Sequence, residues 1–268
     1  LEQTNGSKKP LGEYSLFSFL VLASGRSGST MLVNYLSSHP KIRCHHEPFR
    51  KRGWHPDLRA YDKALDALNH IQFQGLSTST YHKTVSSLQS ILRKSTGNTL
   101  VSPWKVLPED SVEGFKITWA QADTMPSEFR QWLIQQKHLK VIVLSRVNSL
   151  ARYVSYELAK RTGVWHSSSA RNTLNQLYVD PRKFKVFCQQ EVAQKSAIEA
   201  LMSQTECELM RVNYEQLLAT PDSTMKTIFE FLGSVSTAKL IQETQKLASS
   251  PIQDIITNYS ELEQQGLV

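Results

Sequence analysis

The sequence predicts an α/β protein: a three-layer fold around a central, mostly parallel sheet, entered through a P-loop-like strand, loop and helix. Three observations predict it. Short continuous apolar runs alternate with helical patterns along most of the chain, which is how a parallel sheet covered on both faces is written in sequence. The first run, from Phe17 to Ala23, breaks into the turn-forming segment Ser24 to Thr30 (SGRSGST). Directly after it, Met31, Leu32, Tyr35 and Leu36 recur at helical spacing until Ser38, His39 and Pro40 end the helix.

The elements follow in order. Residues 1–14 are polar with glycine and proline and read as a flexible leader. Phe17 to Ala23 is a buried strand, and Ile42 to Cys44 is a second, short one; with the loop and helix between them they make a βαβ unit. Residues 50–110 carry two amphipathic helical stretches, about 57–70 and 80–94, and read as a helical insertion packed over the ends of the strands. Val112 to Trp119 and Leu139 to Ser145 are two further strands, with a helix from Met125 to Lys137 between them. Asn148 to Arg161 is a helix stopped by Gly163, and Pro181 to Thr205 is the longest helix. Along one face of that helix lie Phe184, Phe187, Cys188, Val192, Leu201 and Met202. Glu208 to Val212 is the last strand, and a helix from Ser223 to Leu232 closes at Gly233. The expected organisation is one domain over 15–262, followed by a short tail at 263–268.

Composition narrows the class. The chain has 268 residues, 40% hydrophobic and 21% charged, enough to bury a full core. Its net charge of +7 suits an anionic ligand, but it suits nucleic acid or acidic membrane equally well. The basic residues are scattered, so neither nucleic acid nor membrane is expected as a partner. The three cysteines (Cys44, Cys188 and Cys207) lack the spacing of a zinc site or a disulfide framework. They suit a reduced compartment. No apolar run is long enough to span a bilayer. A cytoplasmic location is therefore expected, although a chain beginning at Leu1 leaves room for a trimmed anchor or signal.

The loop Ser24 to Thr30 has the makings of an anion site. In such folds the turn from strand to helix faces the ligand at the carboxyl end of the sheet. Gly25 and Gly28 let the backbone approach an anion, and the helix N-terminus adds partial positive charge. Arg26 contributes a permanent cation with forked donors, and Ser24, Ser27, Ser29 and Thr30 contribute hydroxyls. The plainer alternative is a turn whose serine caps the helix, but an arginine between two glycines needs an anion or open solvent. A nucleotide-triphosphate loop would require GxxxxGK[ST], and its lysine is missing. The strand ending at Ser145 leads into Arg146 and not into a metal-holding aspartate. The G-x-G-x-x-G dinucleotide fingerprint is absent as well. A metal-free phosphate site is the expectation.

Several stretches resemble the sulfotransferases that use 3′-phosphoadenosine 5′-phosphosulfate (PAPS). Ala23 to Leu32 (ASGRSGSTML) is similar to their 5′-phosphosulfate loop, particularly in the carbohydrate, tyrosyl-protein and bacterial branches. Val141 to Ser155 (VIVLSRVNSLARYVS) resembles the second signature: a strand, an arginine, then a helix bearing a serine. Tyr214 to Leu218 (YEQLL) with Thr227 to Gly233 (TIFEFLG), and Pro251 to Leu262 (PIQDIITNYSEL), resemble two later stretches in the expected order.

The resemblance implies PAPS as co-substrate and 3′-phosphoadenosine 5′-phosphate (PAP) as product. Arg26, Ser27, Gly28, Ser29 and Thr30 would grip the 5′-phosphate and sulfate, and Arg146 with Ser155 the 3′-phosphate. Many members separate that arginine and serine by eight positions, whereas nine separate them in this chain. Either the loop is one residue longer or Arg152 takes part. The glutamate that acts as base in the carbohydrate and tyrosyl-protein branches corresponds to Glu47, with His46 in reserve and His45 read as hydrogen-bonded or exposed. Lys116 stands mid-strand among apolar residues, where a lysine is costly unless it meets an anion or the strand lies at an edge. The resemblance places it near the transferring sulfate. Tyr214 either bonds the nucleotide or packs, and Trp165 with His166 either line the cleft or belong to the core.

The acceptor is expected to be a small molecule, carbohydrate or peptide offering a hydroxyl or amine. Trp54, His55, Tyr61, Tyr81 and His82 of the insertion would shape its pocket. Two rival readings are a phosphotransferase of the nucleotide- or sugar-kinase kind with an altered loop, and a non-enzymatic module that binds polyanions.

Overall fold

The structure is a computed structural model that describes residues 18–45, 47, 112–123, 127–165, 176–234 and 251–268. The chain divides into two units. One comprises Leu1–Leu16 and Pro48–Pro108 and falls outside the described residues, with the two helices expected there; the other, Phe17–Glu47 with Glu109–Val268, holds every element below.

Five strands form one parallel sheet: β1 (Phe19–Ala23), β2 (Ile42–His45), β3 (Val112–Thr118), β4 (Lys140–Ser145) and β5 (Glu208–Asn213). Their order is β2-β3-β1-β4-β5. Val21 on β1 is level with Lys116 on β3 and with Ile142 on β4. The expected strands are all present. β1 is central and buried on both faces, which is why FLVLA is apolar without alternation. Phe19, Val21 and Ala23 join a cluster with α1 (Ser29–Ser38) and with Met225, Ile228 and Phe229 of a later helix, while Leu20 and Leu22 are equally buried on the opposite face.

The chain runs β3, then crosses β1 to β4, so the strand order switches direction at β1. The carboxyl ends of β1, β3 and β4 therefore converge, and open α/β sheets place their ligand crevice at such a point.

The helices follow local signals. α2 (Trp119–Asp123) and α3 (Ser127–Gln135) connect β3 to β4. Trp119, expected to extend β3, instead opens α2, because the side chain of Gln121 turns back and accepts a bond from the Thr118 amide at 2.7 Å. α4 (Ser149–Thr162) begins at Asn148, whose side chain caps the Ala151 amide, and ends at Gly163 in the left-handed region with Lys160 and Arg161 in its last turn. α5 (Pro181–Met202) starts under an Asp180 cap. Phe184, Leu201 and Met202 are buried as expected, but Val192 is 65% exposed, since Ile198 and not Val192 completes the buried stripe.

The short α6 (Tyr214–Ala219), α8 (Ile252–Ile255) and α9 (Tyr259–Gln264) show no periodicity long enough to read in sequence. The expected helix near 223–232 is α7 (Pro221–Phe231). Leu267, beyond α9, packs against the cluster of Tyr153, Leu177 and Phe184. No described helix is long and apolar enough to cross a membrane.

Candidate anion-binding site

The site is built at the switch point from the corners that follow β1, β3, β4 and β5. The first corner is Ser24 to Gly28. Ser24 anchors it to the sheet by donating its amide to the carbonyl of Leu144 at 3.1 Å. Ser27 closes the turn, its hydroxyl donating to the Ser24 carbonyl at 2.6 Å. That is a structural use of Ser27, which is fully buried. Gly28 caps α1 at φ 78°, and α1 brings Ser29 and Thr30 in its first turn. Among the described residues the buried Ser24 hydroxyl has no hydrogen-bond partner.

Arg26 is a non-glycine residue in the left-handed region, φ 64°. Its Nε donates to Ser155 Oγ on α4 at 3.1 Å, and Nη1 donates to the Trp165 carbonyl at 2.6 Å. No carboxylate pairs with it among the described residues. Burial, followed by the charge of Arg146, draws its pKa down to about 10, with Tyr214 acting in the opposite sense.

Arg146 leaves β4 and turns onto the same corner. Its Nη1 donates to the Arg26 carbonyl at 3.3 Å, and its guanidinium lies 4.6 Å from the centre of the Tyr214 ring. Its buried Nε has no partner among the described residues. Burial lowers the Arg146 pKa too, against the pull of Tyr214 and Glu215, and burial raises that of the Tyr214 phenol. Glu215 fixes the backbone beneath Arg146 by accepting the Val147 amide at 3.1 Å and the Asn148 amide at 3.2 Å.

Two guanidinium cations, each partly stripped of water, with the charge of Arg146 disfavouring that of Arg26, form a place that an anion would stabilise. Ser155 bonds to Arg26 and not to Arg146, so the serine of the second signature and the arginine of the first loop act together. Arg152, the alternative at the second corner, is buried: its Nε donates to the Gly25 carbonyl at 2.9 Å and it pairs with Glu191 of α5.

Lys116 projects from β3 beside the first corner. β3 lies between β2 and β1, so the edge-strand alternative is wrong, and Lys116 is only 1% exposed. A buried ammonium requires a partner. Among the described residues it has two: Glu47 Oε1 at 2.7 Å and Ser29 Oγ at 3.3 Å. Gln121 Nε2 lies 3.5 Å from the other oxygen, Oε2 of Glu47. Gln121 is itself held by Thr118, whose amide and hydroxyl both donate to Gln121 Oε1, which leaves the NH2 end to face the carboxylate. Cys44 on β2 is buried nearby; burial pushes its thiol up to about 12, with Lys116 opposing, so it has the character of an inert core residue.

The corner thus joins Arg26, Ser29, Lys116, Glu47, Arg146, Ser155 and Tyr214. His46 and His166 lie outside the described residues, as does the side chain of His45. Sequence reasoning missed Gln121 and the Trp165 carbonyl as contributors. Gln121 had one readable signal, its position just beyond a strand end; a backbone carbonyl has none.

Such a fold and corner define an α/β protein whose strand-to-helix turns bring two arginines together at one corner. A family model described as Stf0 sulphotransferase matches residues 18–261, and the chain belongs to that family. Similar solved structures include the sulfotransferase domain from the curacin biosynthetic pathway, at 17% identity, covering 91% of this chain and 86% of that chain with a TM-score of 0.49. A sulfotransferase from Alicyclobacillus acidocaldarius is 14% identical over 88% of each chain, with a TM-score of 0.46. The sulfotransferase domain of the Synechococcus PCC 7002 olefin synthase is 15% identical over 91% of this chain and 82% of that one, with a TM-score of 0.44. No curated protein sequence matches the chain. Family membership favours sulfuryl transfer over both the kinase reading and the polyanion-binding reading.

Proposed function

We propose that the protein transfers a sulfuryl group from PAPS to a hydroxyl or amine of an acceptor, with Glu47 as the base. The observation that carries the reading is the pairing of Arg26 and Arg146 on one corner, with no carboxylate bound to either among the described residues. Unpaired buried donors beside them, the Ser24 hydroxyl and Arg146 Nε, fit a ligand rich in anionic oxygens. When bound, PAPS supplies an activated sulfuryl group whose bond to the 5′-phosphate breaks as the bond to the acceptor forms, leaving PAP.

The residues divide the work. Arg26, with Ser24, Gly25, Ser27, Gly28, Ser29 and Thr30 of the loop, holds the 5′ end and offsets charge on the leaving phosphate. Arg146, with Ser155 within reach of the same corner, holds the 3′-phosphate, and Tyr214 backs Arg146 with its ring. Lys116 stands between the loop hydroxyl of Ser29 and the carboxylate of Glu47, so its ammonium can serve the sulfuryl oxygens on one side and orient the base on the other. Glu47 takes the proton of the acceptor, and Gln121 keeps its carboxylate from rotating.

Calorimetric titration with PAP, followed by an acceptor screen using sulfur-labelled PAPS, tests the reading. PAP should bind in the presence of EDTA, and label should move to a hydroxyl or amine acceptor. Glu47→Gln should still bind PAP but turn over about a hundredfold more slowly or worse. A chain that ignores PAP, or a Glu47→Gln variant of full activity, removes the donor or the base respectively.

A further inference from the structure

Arg152 has an unusual assignment for a guanidinium so close to an anion site. It lies on α4, buried to 4% exposure, and its donors face inward. Nε donates to the Gly25 carbonyl at 2.9 Å. Nη1 pairs with Glu191 on α5, and the group stacks 4.8 Å from the ring centre of Phe187, one turn earlier on the same helix. Glu191 is braced in turn, since its second oxygen accepts from Ser149 Oγ at 2.9 Å. The chain of contacts therefore runs from α5 through Arg152 to a single carbonyl of the phosphate loop.

That carbonyl belongs to the peptide plane joining Gly25 to Arg26. Turning this plane changes φ of Arg26, and φ of Arg26 is 64°, a value that L residues with long side chains rarely adopt. Packing does not hold Gly25 in place, for a β-carbon built there would meet nothing within 4 Å. The bond from Arg152 is what pins the plane on that side. On the other side Arg146 donates to the Arg26 carbonyl at 3.3 Å. The backbone of Arg26 is thus fastened before and after its Cα by two different arginines.

We propose that Arg152, braced by Glu191, is a positioning residue: it holds the Gly25–Arg26 peptide in the left-handed state that aims the Arg26 guanidinium into the anion corner, and it touches no ligand itself. The proposal rests on the reading of Arg26 as an anion ligand. It divides the labour of the second signature. Arg146 meets the ligand, and Arg152 sets the shape of the first loop.

The consequence can be measured without an acceptor. An arginine bound to the 3′-phosphate would matter for PAP and not for adenosine 5′-phosphate. An arginine that shapes the 5′ loop should matter equally for both. Affinities of the full chain for PAP and for adenosine 5′-phosphate are compared in Arg152→Lys, Arg152→Met and Glu191→Gln. If the competent loop falls to a tenth of the population, both dissociation constants rise about tenfold and in the same ratio. Glu191→Gln keeps Arg152 in place and should give a smaller rise in the same ratio. Loss confined to PAP, or unchanged affinities, would overturn the proposal.

Amide hydrogen exchange in the unliganded chain supplies a second readout. Exchange across 24–30 should quicken in Arg152→Lys and Glu191→Gln while the β4 amides stay protected, and unchanged exchange across 24–30 would defeat the proposal whatever the nucleotides do. If the unsubstituted chain binds neither nucleotide, the donor reading fails, and exchange alone then decides the role of Arg152.

Discussion

The ring of Tyr214 lies against Gly28 so closely that a β-carbon there would stand 2.3 Å from Tyr214 Cδ2. Gly28 also sits at φ 78°, so the position excludes side chains twice, by conformation and by contact. The close approach joins the turn after β1 to the start of α6 and seats the ring under Arg146. Gly28→Ala should therefore lose about 1–2 kcal/mol to the left-handed backbone. A further loss of about 1–3 kcal/mol should come from displacement of the ring. Urea denaturation measures the sum. In a Tyr214→Ala background, Gly28→Ala should lose the first part and not the second. The full loss in that background would mean that the ring is not what occupies the space.

The pair Lys116 and Glu47 is held at 2.7 Å, with the lysine 1% exposed and the carboxylate 15% exposed. Removing one member of a buried pair costs about 3 kcal/mol or more, whereas removing both is often close to neutral. Lys116→Met should thus be markedly destabilised, and Lys116→Met with Glu47→Gln should be more stable than the sum of the single changes by about 1 kcal/mol or more. Strict additivity in a denaturation cycle would show that the two groups do not interact.

These two pairs mark how far the sequence could be read. The strands were legible because each is a continuous apolar run, and the loop at Ser24 to Thr30 was legible because glycines, hydroxyls and an arginine fall together at a strand end. Lys116 was legible as a problem, a charge in an apolar strand, but its solution was not, since the partner Glu47 is far away in the chain and meets it only through the pairing of β2 with β3. Distance in sequence hid the other contacts too. Arg26 and Ser155 are 129 positions apart, and nothing local marks Glu191 as the partner of Arg152. The six-residue helix at Tyr214, which the structure caps with Asn213, escaped because so short a helix shows no period.

Arg146 carries a prediction of selectivity. It stands over Tyr214 and against the Arg26 carbonyl, and its Nε has no partner among the described residues. If it holds the 3′-phosphate, Arg146→Ala should weaken PAP by about 1.5–3 kcal/mol, the range for a hydrogen bond to a charged group. Binding of adenosine 5′-phosphate should change far less. Calorimetry on the two nucleotides gives the difference directly, and equal weakening would reassign the 3′-phosphate to another residue.

The depressed pKa of Arg26 makes binding depend on pH in a defined sense. Burial and the neighbouring Arg146 bring it to about 10 in the unliganded protein. A bound anion favours the charged guanidinium and raises that value again. Binding therefore takes up a proton once the pH passes the unliganded value, and affinity must fall as pH rises through it. Phosphate monoesters have a second pKa of about 6 and are fully ionised by about pH 8, so the ligand contributes nothing at the alkaline end. PAP affinity should accordingly be flat from about pH 8 to about pH 9 and decline above about pH 10. Arg26→Ala should bind weakly and lack the decline that belongs to Arg26. An alkaline limb of the same size and midpoint in that variant would show that a different group controls it, and would remove Arg26 from the anion site.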